Sequence, residues 1–208
     1  MIRALVAFEF ILIGALLGGI TIYKNISSYE QSRFITHTLS SFHRVVRSQS
    51  LPRNPNWKER IEQFNLFSGK ADIVMIGDSI TYFGNWDEIF PEARIINRGV
   101  AGDRSDDIFR RLDSCVTVNP KMAFLMFGIN DFLWGRSVDN VLSDYKNIIH
   151  YLESRDIRIF IQSTLECSRS VCGETLEKIR NLNDRLKYYS EASNITYINI
   201  NDKLTNPK

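Results

Sequence analysis

Histidine and cysteine are scarce in this sequence, three of each in 208 residues, and none falls at the spacing of a metal-binding cluster. A metal site is therefore not expected. Concentrated basic runs are missing as well. The formal net charge is only +2, which argues against a nucleic-acid-binding surface and favours small or uncharged partners. Hydrophobic residues make up 44% of the chain and charged residues 24%. This length and balance allow one globular domain of ordinary size and a short appendage, with no need for a second domain.

The appendage lies at the start. From Ala4 to Tyr23 the only charge is Glu9, and Arg3 and Lys24 bracket the run. About twenty apolar residues can cross a bilayer as a helix. A small-x-small cleavage site is only weakly marked, so residues 1–24 are expected to be an uncleaved single-pass anchor rather than a signal peptide or a buried helix. Positive charge is nearly balanced across it. Cys167 and Cys172 are separated by the short polar loop Ser168-Arg169-Ser170-Val171. They can close a disulfide, which points to an extracytoplasmic domain, or remain free thiols in a reducing compartment. Cys115 is expected to stay free. Residues 25–56 read as a stalk, carrying His37 and His43 and broken by Pro52 and Pro55.

Residues 57–208 alternate helical and strand patterns. Trp57 to Phe67 suits a short helix. Ala71-Asp72-Ile73-Val74-Met75-Ile76 is apolar without alternation, as in a parallel strand covered on both faces, and it breaks at Gly77-Asp78-Ser79. A short helix is expected at 86–90, a second strand at Arg94-Ile95-Ile96-Asn97, and a helix from Asp106 whose Ile108, Phe109 and Leu112 face the core. A third strand at Met122 to Phe127, a helix at 138–152, a fourth strand at Ile157 to Ile161, a helix at 176–189 and a fifth strand at Ile195 to Ile200 follow. This alternation predicts an α/β fold, a five-stranded parallel sheet between two helix layers. The first three strands end in polar, glycine-containing turns that should meet at one sheet edge, the edge where open α/β sheets bind ligands.

Those turns are Gly77-Asp78-Ser79-Ile80-Thr81, Asn97-Arg98-Gly99-Val100-Ala101-Gly102-Asp103 and Gly128-Ile129-Asn130-Asp131. In that order they resemble the first three blocks of the SGNH (GDSL) hydrolase family. The resemblance, over roughly residues 57–201, implies the flavodoxin-like fold of that family and ester hydrolysis without a metal or organic cofactor. It makes Ser79 the nucleophile. The Ser79 N–H, the Gly102 N–H and the Asn130 side-chain amide become the donors of the oxyanion hole. Asp78 and Asp131 read as structural caps, and Arg98 and Arg104 as pocket-flanking residues that either meet an acidic substrate group or face solvent. The family's closing Asp-x-x-His block has no counterpart before Lys208, and no histidine follows His150. His150 itself falls inside a helix. The domain is thus expected to be C-terminally incomplete. The expected function is a membrane-anchored esterase for acyl, including acetyl, esters of carbohydrate or lipid, impaired by the missing acid–base pair. The alternative is a non-catalytic module that binds a glycan or acyl group in the same pocket.

Overall fold

A computed structural model of the chain describes residues 56–66 and 69–204. The expected anchor at 1–24 and all of the stalk but Asn56 lie outside the described residues. No helix among the described residues is long and apolar enough to cross a membrane.

The chain runs through α1 (Trp57–Leu66), β1 (Ile73–Gly77), α2 (Ser79–Tyr82), α3 (Trp86–Ile89), β2 (Ile95–Gly99), α4 (Ser105–Arg110), α5 (Leu112–Val116) and β3 (Met122–Met126). It continues through α6 (Ile129–Leu133), α7 (Val138–Glu153), β4 (Arg158–Gln162), α8 (Arg169–Cys172), α9 (Thr175–Ala192), β5 (Thr196–Ile198) and α10 (Asn201–Leu204). All pairings are parallel, in the order β2-β1-β3-β4-β5. The step from β1 to β2 runs opposite to every later step. Right-handed crossovers therefore put α2 and α3 on one face of the sheet and α4, α7 and α9 on the other. The last three pack side by side, α7 touching both α4 and α9.

Val74, Ile76, Ala123, Leu125, Ile159 and Ile161 supply the strand side of the core, against Val141, Ile148, Ile149, Leu152, Ile179, Leu182 and Leu186 from α7 and α9. Burial of each of these valine, leucine and isoleucine side chains contributes about 1.5–3 kcal/mol. Register is what matters for the site. Gly77 lies opposite Gly99 on one side and Met126 on the other, so the turns after β1, β2 and β3 leave the sheet at one level.

Two expectations change. Phe109 is 43% exposed rather than in the core, since its neighbour Ile108 takes the inward face of the helix; the helix then breaks at Arg111 (φ −107, ψ 12), which is buried. The fifth strand stops at Ile198, because the Ile200 N–H is drawn to Ser163 Oγ at 3.0 Å and the Asn201 N–H to Asn199 Oδ1 at 3.2 Å.

Candidate active site

Ser79 is the first residue of α2, half-buried, one residue beyond the N-cap Asp78. The Asp78 carboxylate accepts from the Ile80 N–H at 3.0 Å, which fixes the turn. A Cβ on Gly77 would lie 2.1 Å from Thr81 Oγ1 and 2.4 Å from Met126 O, so only glycine lets β1 enter α2 against the end of β3. Asn97 clamps the far end of the same helix. Its amide donates to Thr81 O at 2.9 Å, Tyr82 O at 2.9 Å and Gly84 O at 3.2 Å, sharing two hydrogens among three carbonyls, while its Oδ1 accepts from the Gly99 N–H at 2.8 Å.

Gly102 sits on the turn after β2 at φ +83, with no atom of the described residues within 4 Å of a would-be Cβ, so conformation rather than crowding by these residues calls for glycine there. Asn130 begins the second residue of α6, on the turn after β3. Its Nδ2 donates to Asp103 O at 2.9 Å and so ties the third turn to the second next to Gly102. Ser79, Gly102 and Asn130 thus stand on three adjacent turns at the carboxyl edge of the sheet.

The family model for GDSL-like lipases and acylhydrolases matches residues 75–208. The chain belongs to this family. Solved structures share its fold. A candidate acylhydrolase from Bacteroides fragilis NCTC 9343 superposes with a TM-score of 0.64 at 20% identity, over 76% of this chain and 83% of its own. A GDSL-like lipase from Bacteroides thetaiotaomicron VPI-5482 gives 0.60 at 21% identity, over 69% and 77%. AlinE4, an SGNH-hydrolase family esterase, gives 0.53 at 21% identity, over 62% and 75%. No curated protein matches the chain.

Among the other residues of this GDSL-family chain, Arg98 does not stand where sequence reasoning put it. Arg98 neither flanks a pocket nor faces solvent. Asn97 and Gly99 turn toward α2, so strand alternation sends Arg98 through the other face, where it is 2% exposed, stacks on Phe64 at 4.5 Å and donates to Phe64 O at 3.3 Å. Burial lowers its pKa to about 10. Arg104 is held by Asp107 at 3.1 Å and Asp106 at 3.3 Å and lies over the Trp134 ring. His150 is exposed in the last turn of α7. That turn leads to β4, whose Arg158 N–H bonds Lys121 O just before β3. His150 is therefore near the edge where strands begin, and Ser79 is at the edge where they end.

Asp131 is fully buried and structural, but it caps a helix other than its own: Oδ2 accepts from the Ser105 N–H at 2.9 Å, at the start of α4. The Ser105 hydroxyl also lies 2.6 Å from Asp131 Oδ1 and 2.7 Å from Asp144 Oδ2. One hydroxyl hydrogen can be donated to only one of the two carboxylates. Arg136 bridges the same two acids, 2.9 Å from Asp131. Arg111, Asp144 and Arg136 were not singled out from the sequence. For Arg111 a signal existed, an arginine within the apolar helical interval Ile108, Leu112, Cys115. Asp144 and Arg136 look like ordinary surface charges on a helix and a loop.

Burial raises the Asp78 carboxyl to about 7, and Asp103 and Asp131 nearby push in the same direction. Burial likewise raises Asp131 to about 6, and raises Asp103 to about 6 against the pull of Arg111. A folded carboxyl that keeps its proton above the usual value of 3.8 contributes stability below that pH, and the contribution is lost as pH rises through its folded pKa. Denaturant midpoints are therefore expected to fall between about pH 4 and pH 7. Asp78→Asn, whose amide oxygen still accepts from the Ile80 N–H, should flatten that decline. Asp72, held down at about 2 by Arg94 and Lys121, acts only below this window. A midpoint that climbs with pH between 4 and 7 would refute the assignment.

Cys167 and Cys172 form a disulfide across the loop after β4, with Cα atoms 5.9 Å apart, and Cys115 is free and buried. Asn183 and Asn201 pin the start of this loop. Asn183 exchanges two hydrogen bonds with the Thr164 backbone, and Asn201 accepts from the Glu166 N–H while donating to Thr164 O.

Proposed function

We propose that the carboxyl-edge turns form the oxyanion half of a serine esterase site for acyl esters, acetyl among them, of carbohydrate or lipid. Ser79 Oγ attacks the ester carbonyl carbon. The carbonyl electron pair moves to oxygen, and the Ser79 N–H, the Gly102 N–H and the Asn130 amide receive the developing charge. The alcohol leaves with a proton, and water then releases the acid from the acyl-serine. Neutral donors fixed before the reaction favour the oxyanion over the ground-state carbonyl, each worth about 2.7–4 kcal/mol of barrier.

The observation that carries this reading is the 2.9 Å bond from Asn130 Nδ2 to Asp103 O, which holds a side-chain donor beside the glycine turn. Among the described residues the sole histidine is His150, at the opposite edge. Ser79 therefore has no histidine base on its side of the sheet among the described residues, which supports reading the esterase as impaired. That same observation favours the second reading, a module that binds a glycan or acyl group without turnover. The apolar run from Ala4 to Tyr23 supports a single-pass anchor, and the Cys167–Cys172 disulfide supports an extracytoplasmic position for residues 57–208.

An alkyl fluorophosphonate tests the site without requiring full turnover. Slow phosphonylation mapped by mass spectrometry to Ser79, and absent in Ser79→Ala, is expected. Labelling that falls on other serines, or none at all, would overturn the esterase reading.

A further inference from the structure

We propose that Asp103 and Arg111 are a positioning pair that holds all three oxyanion donors in register, an inference that rests on the reading of Ser79, Gly102 and Asn130 given above. The Arg111 side chain is 0% exposed and that of Asp103 is 2% exposed. Arg111 Nε donates to Asp103 Oδ2 at 2.5 Å, Nη2 to Gly77 O at 3.1 Å and Nη1 to Cys115 Sγ at 3.0 Å. Gly77 is two residues before Ser79. Asp103 directly follows Gly102, and its carbonyl oxygen is the acceptor that holds the Asn130 amide. One guanidinium therefore spans the nucleophile's turn and the glycine turn, and the residue it grips carries the third donor.

The surrounding bonds lock this bridge. Gly77 O also accepts from the Val100 N–H at 3.1 Å, so its second acceptor position is the one given to Arg111. Asp103 Oδ1 accepts from Trp57 Nε1 at 2.9 Å, which fixes the plane of the carboxylate. The helix between β2 and β3 breaks at Arg111, which is buried under the sheet edge, while Phe109 two residues earlier is 43% exposed. Local departures of this kind, against the rule that apolar residues face inward, concentrate at functional sites. The planar guanidinium reaches its three acceptors from three separate nitrogens; a lysine ammonium, with its donors on one nitrogen at the end of a flexible stem, does not reproduce that geometry.

The test is the second-order rate of Ser79 phosphonylation by an alkyl fluorophosphonate, measured on the full chain at a temperature where circular dichroism shows each variant folded. Arg111→Lys and Asp103→Asn are each expected to lower the rate about 100-fold, the scale of an ångström's misplacement at a reacting centre. The double variant should be no slower than the slower single one, because the two residues act as one unit. Leu186→Ala, in the core away from the edge, should lower the melting temperature and leave the rate unchanged. Asp103→Asn is nearly isosteric and keeps an acceptor for Trp57, so it serves if Arg111→Lys does not fold. Parental rates in both single variants, or losses that add in the double variant, overturn the pair while the site reading stands. Absence of Ser79 labelling in the parent chain overturns the site reading, and the pair with it.

Discussion

Grafting a segment that carries Asp-x-x-His onto the carboxyl terminus should raise hydrolysis of a short-chain nitrophenyl ester by about 10⁴–10⁶-fold, the scale of the loss when a member of a catalytic triad is removed. The ungrafted chain should be nearly inactive. A serine hydroxyl is a weak nucleophile at neutral pH, and the donors at Ser79, Gly102 and Asn130 stabilise the product of its attack without removing its proton. The described residues offer no histidine for that proton on the Ser79 side, since His150 is exposed at the end of α7 near the opposite sheet edge. Asp78 is close in sequence, but its carboxylate is turned onto the Ile80 N–H as a cap. The gain should vanish on Ser79→Ala. Rapid Ser79-dependent hydrolysis by the ungrafted chain would mean that another base, from outside the described residues or from a second subunit, reaches the serine.

Much of this architecture was legible because the signals are local. β1 reads as an unbroken apolar run ended by glycine, and α7 as a helical stripe through Val141, Tyr145, Ile148 and Leu152, all of which are buried. The three turns were legible as well, since glycine and a polar residue recur after each strand. What was missed depends on contacts distant in sequence. The inward turn of Arg111 is set by Gly77 O, 34 residues away, and by Asp103. Arg98 looked like a loop charge because β2 was expected to stop at Asn97, whereas the strand runs to Gly99 and parity then points Arg98 into the core beside Phe64. Asp131 caps α4 across a gap of 26 residues, which no helix-capping pattern within one segment could reveal.

Gly99→Ala should disable the site by pushing on the backbone that carries Ser79. Gly99 ends β2, and a Cβ there would lie 2.3 Å from Tyr82 N, 2.7 Å from Tyr82 Cα and 2.8 Å from the Thr81 carbonyl carbon, all main-chain atoms of α2. No rotamer change relieves such contacts, so α2 must retreat by roughly 1 Å to restore van der Waals distance. It has little room to do so. The Asn97 amide grips the carbonyls of Thr81, Tyr82 and Gly84, and the start of the helix sits where Gly77 lets it close against Met126 O. The strain should cost about 1–3 kcal/mol, the usual range for an added methyl in a packed interior. In a domain of this size that lowers the melting temperature by about 2–4 °C per kcal/mol. The larger effect should fall on reactivity, with Ser79 phosphonylation slowed about 100-fold by displacement of the nucleophile. Gly102→Ala separates the two costs. Its Cβ would meet no atom of the described residues within 4 Å, but φ +83 imposes a backbone penalty of about 1–2 kcal/mol. A Gly99→Ala protein with parental melting temperature and parental Ser79 reactivity would show that α2 yields freely, and that the close approach of β2 to the nucleophile helix does not set the position of Ser79.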